Sequence, residues 1–287
     1  MPPDLSTDGL TIGLVLCSAL LHASWNALTK ASGDPLVNIA VVAGTGGLIC
    51  LPAIALLPFP GPETWRWLAA SALLHYVYQL SLVRAYQLGD LSQVYPIARG
   101  LAPLGVAMLA AVFAGESLSV GQIIGLALAS AAIMSLAGFG SRGPSTRGAV
   151  AMAVVTAALI GTYTYSDARG VRSVAHPSEY FGWTFLLGGL PIVLTTVVVR
   201  GRDGLAALRR DGRRAVGGGV MATLGYAITL WAMSRAPMAS IASLRESSVL
   251  FAALLGIRML HEPFGRRRLI SAALLVVGLV LVQLRGA

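Results

Sequence analysis

Residues 91–113 read LSQVYPIARGLAPLGVAMLAAVF. Arg99 is the one charge in the run. At about 1.5 Å of helical rise per residue, the run is long enough to cross a bilayer core about 30 Å thick. Working outward, similar apolar runs recur near 10–30, 36–57, 66–87, 119–138, 148–167, 178–199, 215–235, 238–260 and 268–285. Turn or charge signals separate them, such as Ser32-Gly33-Asp34-Pro35, Pro58-Phe59-Pro60-Gly61-Pro62 and Gly140-Ser141-Arg142-Gly143-Pro144. The pattern predicts an all-α, polytopic membrane protein of about ten transmembrane helices.

Composition agrees. Of 287 residues, 56% are hydrophobic and 11% charged, where a soluble domain carries about 25% charged residues. Mean hydropathy is +0.75. Too little polar surface remains to face water, so lipid is the expected solvent. The net charge of +9 comes from 20 Arg and one Lys, mostly in short gaps between apolar runs. Charges there set topology; no basic stripe interleaved with aromatics points to nucleic acid. Cys17 and Cys50 lie inside apolar runs without metal-ligand spacing and read as small buried hydrophobes. The tail, 1–9, has Asp4 and Asp8 but no Lys or Arg. It lacks the basic start of a signal peptide, and the first run reads as a retained helix. The longest connection, Arg200 to Arg214, leaves no room for a soluble catalytic module.

The chain also repeats itself. The stretch 85–94, AYQLGDLSQV, aligns with 232–241, AMSRAPMASI, and each precedes a helix that ends in a Glu, Glu116 or Glu262. This gives a first five-helix repeat at 10–138, a linker at 139–147 and a second repeat at 148–285. Five is odd, so the halves lie in opposite orientation. Charge supports inversion. The loop around Glu116 has no Lys or Arg, whereas the loop after Glu262 has Arg266, Arg267 and Arg268. The loop before Trp67 has only Arg66, and its counterpart has Arg200, Arg202, Arg209, Arg210, Arg213 and Arg214. Under the positive-inside rule the 7–8 and 9–10 loops are cytoplasmic and both termini lie outside.

Ten spans in two inverted halves resemble the EamA type of the drug/metabolite transporter superfamily. Local stretches carry the resemblance: His22-Ala-Ser-Trp25-Asn26-Ala-Leu-Thr-Lys30, Ala85-Tyr-Gln-Leu-Gly, Tyr95-Pro96-Ile-Ala-Arg99-Gly100 with Pro103, and the loop residues Glu116 and Glu262. The resemblance implies a carrier of small metabolites, often amino acids or related compounds, frequently outward, in the inner membrane of a bacterium. The second half departs from the first, with Ser243 opposite Pro96 and Arg245-Glu246 opposite Ala98-Arg99.

Charges within spans should face a cavity or a partner, because each costs at least about 2.5–3.5 kcal/mol at the bilayer centre. Arg99, Asp167, Arg245 and Glu246 qualify; Arg84 and Arg258 lie nearer span ends, where they can snorkel. Arg99 and Glu246 occupy nearly equivalent repeat positions, so two readings stand. They form a structural ion pair, or they face substrate, with Arg99 on a carboxylate and Glu246 on an ammonium or a proton. If they bond to each other, a zwitterion loses its two free charges. His22 and Asn26 share a face of the first helix with Trp25 beside it, and His75 and Gln79 share a face of the third. These residues read as interhelical hydrogen-bonders or as pathway lining; no third ligand suggests a metal. Tyr163 and Asp167 share a face of the sixth span. With Tyr95, Tyr226 and Trp231, Tyr163 supplies aromatic surface, either as interfacial anchors or against an apolar substrate moiety.

A secondary transporter working by alternating access is the expectation, with no cofactor. A small-molecule substrate and the lipid bilayer are its partners, and the chain is compatible with a monomer or an oligomer. The rival is a channel or assembly subunit. An intramembrane enzyme would want a Ser/His pair, paired Asp or a His/Glu cluster, and the sequence has none in place.

Overall fold

The computed structural model describes residues 7–29, 34–89, 91–136, 147–260 and 266–284. Glu262 and most of the 139–147 linker lie outside them. Ten α-helices and no strand occur among the described residues. They are α1 (Gly9–Thr29), α2 (Pro35–Leu56), α3 (Pro62–Leu88), α4 (Leu91–Ala114), α5 (Val120–Met134), α6 (Arg147–Val171), α7 (Pro177–Met233), α8 (Met238–Arg245), α9 (Ser248–Leu260) and α10 (Arg266–Gln283).

Ten helices were expected, but the partition differs in two places. The seventh and eighth spans, with the Arg200–Arg214 connection between them, form α7 without a loop. Gly201 breaks it at φ 46, ψ −123, a backbone region that favours glycine. The rings of Phe185 and Tyr226 lie 6.1 Å apart, where a straight helix would separate them by about 60 Å. The chain therefore doubles back into two arms. α2 lies against both: its Gly46 faces Phe185 and Thr223, one on each arm.

The ninth span is also divided. α8 ends at Arg245, and i→i−3 bonds replace the helical pattern: Glu246 N to Ser243 O (2.9 Å), Ser247 N to Leu244 O (3.1 Å) and Val249 N to Glu246 O (3.0 Å). Two serine hydroxyls bond backbone carbonyls beside the break. Ser243 Oγ donates to Ala239 O and Ser247 Oγ to Leu244 O, taking carbonyls that compete with the regular ladder.

Among the described residues, seven helical stretches are long and apolar enough to cross a membrane: Gly9–Asn26, Pro35–Leu56, Val94–Ala114, Arg147–Val171, Pro177–Gly204, Gly212–Met233 and Met238–Leu255. The apolar parts of α5 and α10 are shorter, and α3 carries His75 and Gln79 within its length. Large apolar side chains face outward, among them Leu48, Leu56, Met108, Val198 and Val280, as lipid contact requires. Without a hydrophobic drive between helices, small residues and hydroxyls join them. Gly105 meets Gly161 where α4 crosses α6, and Gly125 meets Gly278 where α5 crosses α10. Ser18 bonds Thr229 (2.9 Å) between α1 and the second arm of α7, and Ser81 bonds Thr156 (2.8 Å) between α3 and α6.

One end of the bundle is clasped. Arg172 Nη1 donates to Glu116 Oε1 (2.7 Å), Nε to Met233 O (2.8 Å) and Nη2 to Ala236 O (2.8 Å). Glu116 Oε2 accepts the first N–H of α8, from Met238 (2.8 Å). Glu116 thus ties the α4–α5 turn to α6, α7 and α8.

Candidate functional site

The polar residues that lipid should expel converge at mid-bundle. α3 brings His75 and Tyr78; α4 brings Arg99; α6 brings Tyr163 and Asp167; the arms of α7 bring Tyr180 and Tyr226; α8 and its terminal turn bring Arg245 and Glu246; Gln79 lies one turn beyond His75 on α3.

Asp167 is fully buried. Its Oδ1 accepts from the Tyr180 hydroxyl (2.9 Å) and its Oδ2 from the Tyr226 hydroxyl. His75 Nε2 stands 3.8 Å from Oδ2. The other ring nitrogen of His75, Nδ1, lies 3.0 Å from the Ser71 carbonyl. Aromatic rings wall the cluster: His75 against Tyr163 at 4.1 Å between centroids, Tyr163 against Tyr78 at 5.2 Å, and Tyr226 against Phe185.

Arg99 and Glu246 do pair, Nη2 to Oε1 at 2.9 Å, both deeply buried. The structure thus satisfies the ion-pair reading, and the two residues do not offer a zwitterion two free charges. The contact is close but poorly aligned. Among the described residues, Arg99 Nε and Nη2, Glu246 Oε2 and Gln79 Oε1 have no well-aligned hydrogen-bond partner. Orphaned buried polar atoms are rare and call for a water or a ligand. Arg245 is 8% exposed, and its guanidinium carbon sits 5.2 Å over the Tyr226 ring. Among the described residues no carboxylate lies within ion-pair distance of it, and it faces the Tyr226 ring and the nearby Glu246 carboxylate.

Of the remaining predicted residues, His22 and Tyr95 lie within electrostatic reach of Arg99 and Arg245, and Trp231 sits apart. On α1, Trp25 Nε1 donates to His22 Nδ1 (3.2 Å) and Asn26 Nδ2 to His22 O (2.8 Å). His22 is therefore engaged within its own helix. Tyr95 is half-buried one turn before Arg99. Trp231 lies under Arg235 at 4.8 Å and packs against the apolar core beneath the clasp. Sequence reasoning missed Tyr180 and Tyr78, and noted Arg245 without placing it in the site. Gly170 was the available signal for Tyr180: a Cβ there would lie 2.1 Å from the Tyr180 ring, so only glycine admits that ring beside Asp167.

The family model of the EamA-like transporter family matches residues 9–138 and 147–284. A solved crystal structure aligns over 96% of this chain and 96% of its own, with a TM-score of 0.74 and 17% identity, a likeness of fold. No curated protein matches. Two matched halves that together cover nearly the whole chain settle the assignment: the protein belongs to the EamA-like transporter family, a family of membrane transporters.

Proposed function

We propose that the protein is a secondary carrier, an exporter or exchanger, of small metabolites of the amino-acid class in the inner membrane of a bacterium. It works by alternating access of two inverted five-helix repeats. The ten spans are α1–α6, the two arms of α7, α8 with α9, and α10. Pairing the first helix with the sixth and the third with the eighth exchanges the Ser18–Thr229 and Ser81–Thr156 bonds, which supports a pseudo-two-fold relation between the halves. The Arg-rich α7 break and α10 start support the inversion.

The observation that carries the substrate class is the helix break at Arg245-Glu246. Interrupted spans place binding groups at the midplane of carriers. Here the break presents, among the described residues, a buried guanidinium with no carboxylate in ion-pair distance and a carboxylate oxygen with no hydrogen-bond donor. A substrate carboxylate fits Arg245 and an ammonium fits Glu246 Oε2, while Tyr163 and Tyr226 offer apolar surface. Arg99 neutralises Glu246 when the site is empty.

Counterflow in proteoliposomes tests this. Vesicles loaded with unlabelled amino acids should take up labelled ones saturably, and Arg245→Gln should abolish the uptake while the protein remains monodisperse. Uptake of sugars or nucleosides alone would overturn the class. Non-saturating flux with measurable current would favour the channel reading.

A further inference from the structure

The clasped end of the bundle holds a second cluster of charge, outside the polar centre. Trp67, in the second turn of α3, has two guanidinium carbons over its ring, Arg66 at 5.2 Å and Arg169 at 5.5 Å. Arg169 is half-buried in the last turn of α6. Beside it Thr64 bonds Ser173 (2.9 Å), which holds the two helix ends together. The other arginines of this end have a carboxylate at hand. Arg172 holds Glu116, Arg66 pairs with Glu63, and Arg235 lies within electrostatic reach of Asp8. Among the described residues no carboxylate lies within ion-pair distance of Arg169. Ring contact and the C-terminus of α6 both favour a cation there, but neither supplies the anion that would neutralise it. From the guanidiniums a row of rings runs out to lipid. Trp67 meets Tyr165 at 6.3 Å between centroids, and Tyr165 meets Phe113 at 6.4 Å. Phe113 is 66% exposed near the end of α4, and Val112 and Met108, about one helical turn apart, carry exposed apolar surface on toward mid-bilayer.

We propose that Arg169, Arg66 and Trp67 form a headgroup site for an acidic phospholipid of the bilayer, with the phosphodiester on Arg169 and an acyl chain along Phe113, Val112 and Met108. The site rests on the membrane character of the chain and not on the carrier reading. Its chemistry is that of a phospholipid seen end to end: a charged head, aromatic rings at the depth where membranes place them, and apolar surface below. The planar guanidinium fork suits two phosphodiester oxygens. Two arginines with only Glu63 against them leave the site positive, so a zwitterionic head would bring its own cation against that charge. A soluble anion would use the arginines and leave the exposed apolar row uncovered. The bound lipid bridges the start of α3 and the end of α6, three residues before the Arg172 of the clasp, and so stabilises this end of the fold.

Native mass spectrometry of the delipidated protein in detergent tests this, with phosphatidylglycerol and phosphatidylcholine of matched chains. The wild type should hold phosphatidylglycerol about fivefold more tightly or better. Arg169→Gln should lose that preference, and Arg84→Gln, at an exposed arginine near the other end of α3, should keep it. Equal retention of the two lipids by the wild type, an undiminished preference in Arg169→Gln, or an equal loss in Arg84→Gln overturns the site. Glycerophosphoglycerol, the same head without chains, should not displace the lipid at equal concentration. Displacement overturns the lipid as occupant and leaves a site for a soluble anion. A phosphatidylglycerol with a photoreactive acyl chain keeps the test open should Arg169→Gln fail to fold. On the wild type its adducts should fall within 108–113 more often than those of the matched phosphatidylcholine. Adducts only elsewhere, or equal adducts from both lipids, overturn the proposal.

Discussion

Asp167 is a carboxylate with no exposure, held by two tyrosine hydroxyls and an imidazole. Removing one donor leaves a buried anion short of a partner, at a cost of about 1–3 kcal/mol. Tyr180→Phe is therefore expected to lower the melting temperature in detergent. Gly170→Ala should do at least as much although it removes no hydrogen bond, because the added methyl takes the space of the Tyr180 ring. A Gly170→Ala protein that melts like the wild type would contradict this packing. The residue scale is also where reading the sequence reached least far. Arg99 and Glu246 were found because they are charges in apolar runs. Tyr180 was not, since its role depends on a contact 13 residues away across a helix end that no periodicity links.

At the scale of elements, α2 and α7 are set by two local devices. Asp34 caps α2 through the N–H groups of Leu36 and Val37, and its second oxygen accepts Arg200 Nε at 2.7 Å, one residue before the α7 break. Partial burial pushes the Asp34 carboxyl up, but the Arg200 bond and the backbone donors outweigh it and hold it below the usual range. The sign follows. The stabilisation is present above the unfolded value, near 3.9, and fades as pH falls through the lower folded one. Asp34→Asn keeps the cap and loses the ion pair. Asp34→Ala loses both and should cost more, by about 0.5–2 kcal/mol, in thermal unfolding at neutral pH. Equal losses would make the cap unimportant. At the break itself, Gly201→Ala forces a side chain into a left-handed backbone, an expected strain of about 1–3 kcal/mol. The loss should appear as a lower melting temperature that Gly217→Ala, where a Cβ meets nothing, does not share. The sequence marked 178–199 and 215–235 as apolar and the polar stretch between them as a loop. Helical hydrogen bonding continues there because Arg, Leu and Ala favour helix once the turn is made at a single glycine.

For the whole molecule, orientation is the property with a direct readout. The proposed topology places Thr7 and Gly61 outside and Asp203 in the cytoplasm. With Cys17 and Cys50 replaced by Ala, Thr7→Cys and Gly61→Cys should react with an impermeant maleimide on intact cells, and Asp203→Cys only after lysis. The reverse pattern would invert the protein. Labelling of all three from one side would end the even span count. Assembly depends on backbone approach rather than on large apolar contacts. At Gly125 an added Cβ would lie 2.7 Å from Gly278 O. Gly125→Leu should therefore part α5 from α10 and prevent recovery of folded protein, whereas a change at lipid-facing Val280 should not.

The sequence by itself determined the solvent, the helical class, the repeat and which charges had to find partners, because these follow from composition and one-dimensional spacing. The bilayer enforces them: apolar length sets a span, and a buried charge cannot stay alone. Only the tertiary structure decided which partner each charge took. It joined Arg99 to Glu246, set Arg245 over the Tyr226 ring, and closed Tyr180, Tyr226 and His75 around Asp167. Those choices depend on helix rotation, on the breaks at Gly201 and Glu246, and on glycines that let helices meet. They are distances across the bundle, which spacing along the chain does not encode.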